Sequence, residues 1–317
     1  MPRPKIILDC DPGHDDAIAI VLAGRHTELL GITTVNGNAP LARTTANALV
    51  MTQLLDLQTP VHSGAAHPLL APVLHAEYIH GESGMDGAEL PKVTRAVAGT
   101  NAVEFIVETV RANDDIWLVP TGPLTNIALA LRSAPDLAKR VAGISLMGGG
   151  TTYGNRTAAA EFNILCDPEA AAIVFESGSP ITMCGLNLTH QLLASPERIA
   201  AVRAVGTRLA AILADLLTFF GGTYMGLYEE RFVGAPIHDA CAVLAVTHPE
   251  LFTTQPAYVV IEVTGTYTRG MTLVDRRPLK NLPPPNVNVV ETVDVDAVFA
   301  LLTSTVASYG SRFPKDA

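Results

Sequence analysis

The run Lys5-Ile6-Ile7-Leu8-Asp9-Cys10-Asp11-Pro12-Gly13-His14-Asp15-Asp16 joins a nearly unbroken apolar stretch to four carboxylates. Lys5–Asp9 has the character of a strand covered by helices on both faces. Alternation along that strand sends Asp9 and Asp11 to the same side. Pro12-Gly13 turns the chain, and Asp15 and Asp16 fall in the first turn of the next helix, where the helix dipole favours negative charge. Four acids this close repel one another unless something neutralises them. Capping a helix or a turn uses one or two and leaves the others unpaired. A divalent cation removes the conflict, and all-oxygen donors suit Ca²⁺ or Mg²⁺. The run also ends a parallel strand on its carboxyl side, where open α/β sheets place their ligands.

Working outward, the chain alternates strand and helix patterns. Helix Asp15–His26 is followed by strand Leu30–Val35, helix Leu41–Leu57 and a short strand at Pro60–His62. Residues 63–99, rich in His, Gly and Pro, read as a loop long enough to be functional or mobile. The alternation resumes with helix Asn101–Asn113, strand Ile116–Pro120, helix Leu124–Arg140, strand Gly143–Met147, helix Pro168–Glu176 and strand Ile181–Cys184. After Ser195 a helical stretch runs to Leu217, and a separate helix carries Tyr224 and Tyr228. Helix Asp239–Val246, a hairpin of Ala257–Glu262 with Met271–Val274, strand Val287–Val290 and helix Val295–Ser308 complete the pattern. This order predicts an α/β fold with a mainly parallel, Rossmann-like central sheet flanked by helices. No repeat or linker divides it, so one domain over residues 1–317 is expected.

A net charge of −10 offers no basic face for a phosphate backbone, so nucleic acid is not the expected partner. The apolar start runs straight into acids and does not read as a signal peptide. No apolar run reaches the length of a membrane span, so no membrane partner is expected. Cys10, Cys166, Cys184 and Cys241 form no CxxC pair and suit reduced thiols, which points to the cytoplasm.

The acidic run resembles the DxDxxxDD signature of the inosine–uridine-preferring nucleoside hydrolases, matched by Asp9, Asp11, Asp15 and Asp16. The resemblance continues through Val119-Pro120-Thr121-Gly122-Pro123-Leu124-Thr125-Asn126, the Met147-Gly148-Gly149-Gly150 turn, Asn155, Glu161-Phe162-Asn163 and His238-Asp239. It implies the nucleoside hydrolase fold and hydrolysis of a ribonucleoside's N-glycosidic bond with Ca²⁺ as cofactor. Asp11 would be the general base. Asp11, Asp16, the Thr121 carbonyl and Asp239 would hold the metal, with Asp9 supporting them. Asp15, Asn38, Met147, Asn155, Glu161, Phe162 and Asn163 would bind the ribose and its surroundings. The resemblance further implies a homo-oligomer, as a tetramer, serving nucleoside salvage.

Departure of the base needs a proton or strong hydrogen bonds, which a histidine can supply. His238, beside Asp239, is the favoured candidate, and His80 the second. Tyr224 and Tyr228, four apart, share a helix face that suits either a core or a base-binding wall. With both histidines they favour uridine or cytidine, inosine remaining open. Two alternatives compete: a haloacid-dehalogenase-like Mg²⁺ phosphohydrolase with Asp9 as nucleophile, and a non-catalytic nucleoside-binding protein.

Overall fold

The structure, a computed structural model, describes residues 3–228 and 232–310. Strand β1 (Lys5–Cys10) leads into helix α1 (His14–His26), then β2 (Glu28–Thr34), α2 (Leu41–Leu54) and β3 (Val61–Ser63). The stretch expected to be loop contains a one-turn helix, α3 (Glu77–His80), ahead of α4 (Ala102–Ala112). Then come β4 (Ile116–Pro120), α5 (Thr125–Ser133), β5 (Gly143–Met147), α6 (Phe162–Cys166), α7 (Pro168–Phe175), β6 (Ile181–Cys184) and α8 (Leu186–Thr189). The later elements are β7 (Leu193–Ala194), α9 (Pro196–Arg203), α10 (Arg208–Leu227), β8 (Ala235–Pro236) and α11 (Ala240–Thr247). The expected hairpin is β9 (Phe252–Ile261) with β10 (Thr272–Asp275), followed by β11 (Val287–Val293) and α12 (Val295–Ser308).

One nine-stranded sheet has the order β10-β9-β11-β6-β5-β4-β1-β2-β3. Pairings from β11 across to β3 are parallel, and only the two pairings of β9, with β11 and with β10, are antiparallel. Side chains alternate between the two faces. Ile6 and Leu8 join the core beneath α1, α2, α10, α11 and α12, while Ile7 joins the core beneath α4, α5 and α7. The chain leaves β1 towards β2 and β3 on one side, then returns to β4, β5 and β6 on the other. That reversal opens a crevice at the carboxyl ends of β1 and β4, the topological switch point where such sheets take ligands. Asp9 lies opposite both Thr33 and Pro120 there.

Three expected helices are corrected. The helix starting at Leu124 does not reach Arg140: it ends at Ser133, and Pro135–Lys139 forms a 3₁₀ turn. Proline lacks the N–H and pushes Ala134 out of the helical region. The helical stretch after Ser195 is two helices, because α9 ends at Arg203 and Thr207 caps a new start by accepting from the Ala210 N–H. From there α10 runs unbroken to Leu227, so Tyr224 sits inside it and Tyr228 at its end. The expectation that no segment matches a membrane span also needs correcting. Arg208–Leu227 is long and apolar enough by length and composition, yet 56% of that window is buried inside the protein, as in a core helix.

Candidate active site

The acidic run folds against a cleft at the switch point, with Asp15 in its lining. Gly13, at the start of α1, donates its N–H to Asp16 Oδ2 at 2.9 Å, so Asp16 satisfies the helix start without a side-chain cap at that position. Asp16 Oδ1 accepts from the Thr121 hydroxyl at 2.9 Å, and its Oδ2 also accepts from Asn38 Nδ2 at 3.2 Å. The ends of β1 and β4 and the turn after β2 thereby meet on one carboxylate. Asp11 Oδ2 accepts the Asn38 N–H at 2.6 Å, while Asp11 Oδ1 is buried with no hydrogen-bond partner among the described residues. Asp9 lies beneath: its Oδ1 accepts from Thr33 (2.5 Å) and Asn126 (2.8 Å).

Oxygens of Asp15, Asp16 and Asp239 lie within 4.8 Å of one another, and all three residues are buried. Asp239, at the start of α11, reaches the N-terminal run from 223 residues away in sequence. Burial pushes the carboxyls of Asp11, Asp15, Asp16 and Asp239 upward, and their mutual repulsion adds to it for Asp11, Asp15 and Asp239. Such a set favours a cation or bound protons. These three acids can hold a metal ion.

The walls come from later elements. Glu161 caps α6 by accepting from the N–H groups of Asn163 and Ile164, and it accepts the Gly149 N–H at 2.9 Å. Burial raises its carboxyl to about 7, and the backbone donors oppose that rise. Asn163 Nδ2 donates to the carbonyls of Thr121 (2.8 Å) and Met147 (3.1 Å), tying α6 to the ends of β4 and β5. Asn155 Oδ1 accepts the Phe162 N–H at 2.9 Å. On α10, Tyr224 and Tyr228 stack at 5.0 Å between ring centroids, and Phe220 meets Tyr224 edge-on. His238 bridges Thr189 (2.7 Å at Nδ1) and the Tyr224 hydroxyl (3.0 Å at Nε2). Burial pulls the pKa of both His238 and His80 well below the usual value.

The residues expected to bind substrate, Asp15, Asn38, Met147, Asn155, Glu161, Phe162, Asn163, Tyr224 and Tyr228, all line this cleft. So do Thr121, Asp239, His80 and His238, while Asp11 and Asp16 are fully buried and not part of the lining. The Thr121 carbonyl, expected to face a metal, already accepts from Asn163 Nδ2 and keeps one lone pair for another partner. Sequence reasoning missed Tyr78, Ile79 and Phe220, which also line the cleft, and singled out no role for His14, which lies outside the lining. Phe220 was recoverable, being four residues before Tyr224 on one helix face; His14 stood in the opening run itself, without a pattern to mark it. His75 meets Asn36 Oδ1 at 2.8 Å outside the cleft.

Gly37 shows how tightly Asp11 is held. A Cβ at Gly37 would stand 2.0 Å from Asp11 Oδ2 and 2.9 Å from Pro123 Cδ. Gly37→Ala is therefore expected to displace that carboxylate and lower turnover on the order of a hundredfold, the usual cost of roughly 1 Å of misplacement. Ribose release beside a wild-type-like circular dichroism spectrum checks this, and unchanged turnover would show that the Asp11 position does not matter.

The comparisons with known proteins agree with this geometry. The sequence model described as inosine-uridine preferring nucleoside hydrolase matches residues 6–300. The chain is 47% identical over 313 residues to the pyrimidine-specific ribonucleoside hydrolase RihA of Shewanella sp. (strain MR-7), covering 98% of each chain. It is 41% identical over 312 residues to the pyrimidine-specific ribonucleoside hydrolase RihB of Escherichia coli O17:K52:H18, covering 98% of this chain and 99% of that one. Among solved structures, a purine-preferring ribonucleoside hydrolase from Gardnerella vaginalis matches with a TM-score of 0.89 and 35% identity, over 96% of this chain and 98% of that one. With its acids gathered at the switch point and these relatives matched end to end, the chain belongs to the inosine-uridine preferring nucleoside hydrolase family and is an enzyme that hydrolyses ribonucleosides.

Proposed function

We propose that the chain hydrolyses pyrimidine ribonucleosides to ribose and free base, with Asp11 as general base and Ca²⁺ as the resident metal. The observation that carries the reading is the partnerless, buried Oδ1 of Asp11 beside the Asp15, Asp16 and Asp239 cluster. An all-oxygen, strongly acidic, buried donor set fits a hard divalent cation. Asp16 and Asp239, which the structure brings together with Asp15, would hold it with Asp11 and the Thr121 carbonyl, and Ca²⁺ bound there would orient the ribose hydroxyls and lower the pKa of a bound water.

The protein's own groups account for the remaining steps. Asp11 Oδ1 takes a proton from the attacking water. Asp15 and Asn38 meet the ribose diol, and Asn155, Glu161 and Asn163 meet the rest of the sugar, with Met147 and Phe162 closing around it. Cleavage passes through an oxocarbenium-like ribosyl cation, which the surrounding negative charge stabilises. On the base side, buried His238 starts neutral and serves the leaving base through hydrogen bonding shared with the Tyr224 hydroxyl. Tyr224, Tyr228 and Phe220 supply flat apolar surface for the base.

Against the phosphohydrolase alternative stand the family match over residues 6–300 and the engagement of Asp9 Oδ1, which accepts from Thr33 and Asn126. In the same reading the enzyme is a single-domain, cytoplasmic homotetramer in nucleoside salvage; its four cysteines are free and buried, as suits a reducing compartment. The pyrimidine preference rests on the names of the curated relatives together with the histidine and tyrosine wall. A reducing-sugar assay over uridine, cytidine, inosine and adenosine tests it. The expected result is a kcat/KM for uridine or cytidine at least about tenfold above the purines, the discrimination that one good hydrogen bond gives. A preference for inosine would overturn the base assignment.

A further inference from the structure

His14 is the first residue of α1, between the two halves of the acidic run, and it is fully buried in an aromatic cluster. Its ring stacks on His80 (5.2 Å between centroids), Phe219 (5.3 Å) and Phe220 (5.4 Å). Its two nitrogens have unlike partners. Nε2 lies 2.8 Å from the Asp86 carbonyl oxygen, and Nδ1 lies 2.9 Å from His80 Nδ1.

A carbonyl oxygen only accepts, so His14 Nε2 must carry a proton. In a neutral imidazole Nδ1 is then the acceptor, which requires His80 Nδ1 to be the donor. Stacked on three rings and with no carboxylate among its hydrogen-bond partners, His14 is a neutral imidazole. The His14 backbone N–H also approaches His80 Nδ1, at 3.5 Å, too long to compete with the 2.9 Å contact. With its Nδ1 proton engaged, neutral His80 carries a bare lone pair on Nε2, and His80 lines the cleft on the aromatic side. Gly13 permits this arrangement, since a Cβ there would come within 2.8 Å of His80 Nδ1.

We infer that His14 is a positioning residue that locks His80 into its Nδ1–H tautomer, so that His80 Nε2 accepts a hydrogen bond from an N–H on the edge of the bound base. The donor is the ring N3–H in uridine and the 4-amino group in cytidine. The assignment turns on which ring nitrogen bears the proton, and it rests on the reading that the base stacks beside Tyr224 and Phe220. It also separates the two histidines: His80 reads the base, and proton delivery to the leaving base falls to the His238 side.

The test is nitrogen NMR of the full-length enzyme labelled with ¹⁵N-histidine, with His80 assigned by its disappearance in His80→Gln. The expected wild-type signature is a protonated Nδ1 and an unprotonated Nε2 on His80. In His14→Phe, which keeps the stacking and removes the ring nitrogens, the Nε2-protonated tautomer is expected to take over. Uridine KM is then expected to rise about tenfold, the loss of one hydrogen bond, with kcat changed less than about threefold. A wild-type spectrum with protonated Nε2 on His80 overturns the inference without any variant having to fold. A kcat loss in His14→Phe with unchanged KM overturns it too, by making His80 an acid. The wild-type spectrum needs no turnover, so absence of ribose release would sink the function reading while leaving the tautomer measurement to stand or fall separately.

Discussion

Asp11→Asn is expected to lower kcat for uridine by about a thousandfold or more, near the upper range for loss of a general base. The substitution keeps the size of the side chain and leaves an oxygen to accept the Asn38 N–H, which the native carboxylate accepts at 2.6 Å. What it removes is the basicity of the partnerless Oδ1. In the metal-free protein, burial and the charge of Asp16 raise the Asp11 carboxyl well above the usual range. KM is expected to stay within a few-fold, because no substrate-binding contact is lost. Calcium content measured on both proteins separates loss of the base from loss of metal. Unchanged turnover in a metal-loaded variant would remove Asp11 from the reaction. A wild-type protein that binds uridine without releasing ribose would instead favour a non-catalytic binding protein.

Removal of metal is expected to have an effect of similar size, with ribose release falling about a thousandfold after chelation and returning on addition of Ca²⁺. Chelation also leaves a mark on stability whose sign follows from the pKa shifts. Burial raises Asp9 from 3.8 to about 7 in the metal-free protein, and Asp11, Asp15, Asp16 and Asp239 shift in the same direction. A folded-state pKa above the unfolded value means that folding takes up a proton. The associated stability is complete below 3.8 and is lost as pH rises towards about 7. The melting temperature of chelated protein is therefore expected to fall across that window. Added Ca²⁺ is expected to raise it most at the upper end, where the acids are ionised and a ligand of the native state stabilises by mass action. Full activity in protein shown by elemental analysis to be metal-free would defeat the metal assignment, and a melting temperature that rises with pH would defeat the sign.

Much of the architecture is legible in the sequence. Strand β1, the strand–helix alternation and the terminal hairpin follow from periodicity, because residues that face a core must recur at the spacing of their own element. The misread helices failed for local reasons of a different kind. Pro135 stops a helix that the apolar pattern alone would continue, and the break expected after Leu217 is absent because α10 goes on burying Phe220, Gly221 and Tyr224 beyond it. The cleft residues were named through motif resemblance, which preserves identity and order without distance. Phe220 was within reach of the spacing rule, whereas His14 was not, since its partners are ring nitrogens and a carbonyl more than sixty residues away.

By itself, the opening run determined that four acids end the first strand and begin the first helix, and that something must neutralise them. That conclusion needs only strand alternation, a proline–glycine turn and Coulomb's law, all of which act over a few residues. Which acids converge was settled only by the tertiary structure. The cluster is Asp15, Asp16 and Asp239, whereas Asp9 withdraws beneath it to bond Thr33 and Asn126. Sheet order decides this, because β1 and β4 lie side by side although more than a hundred residues of chain separate them, and α11 then delivers Asp239 to their carboxyl ends. Local periodicity says which way a side chain points; only packing across the sheet says what it meets.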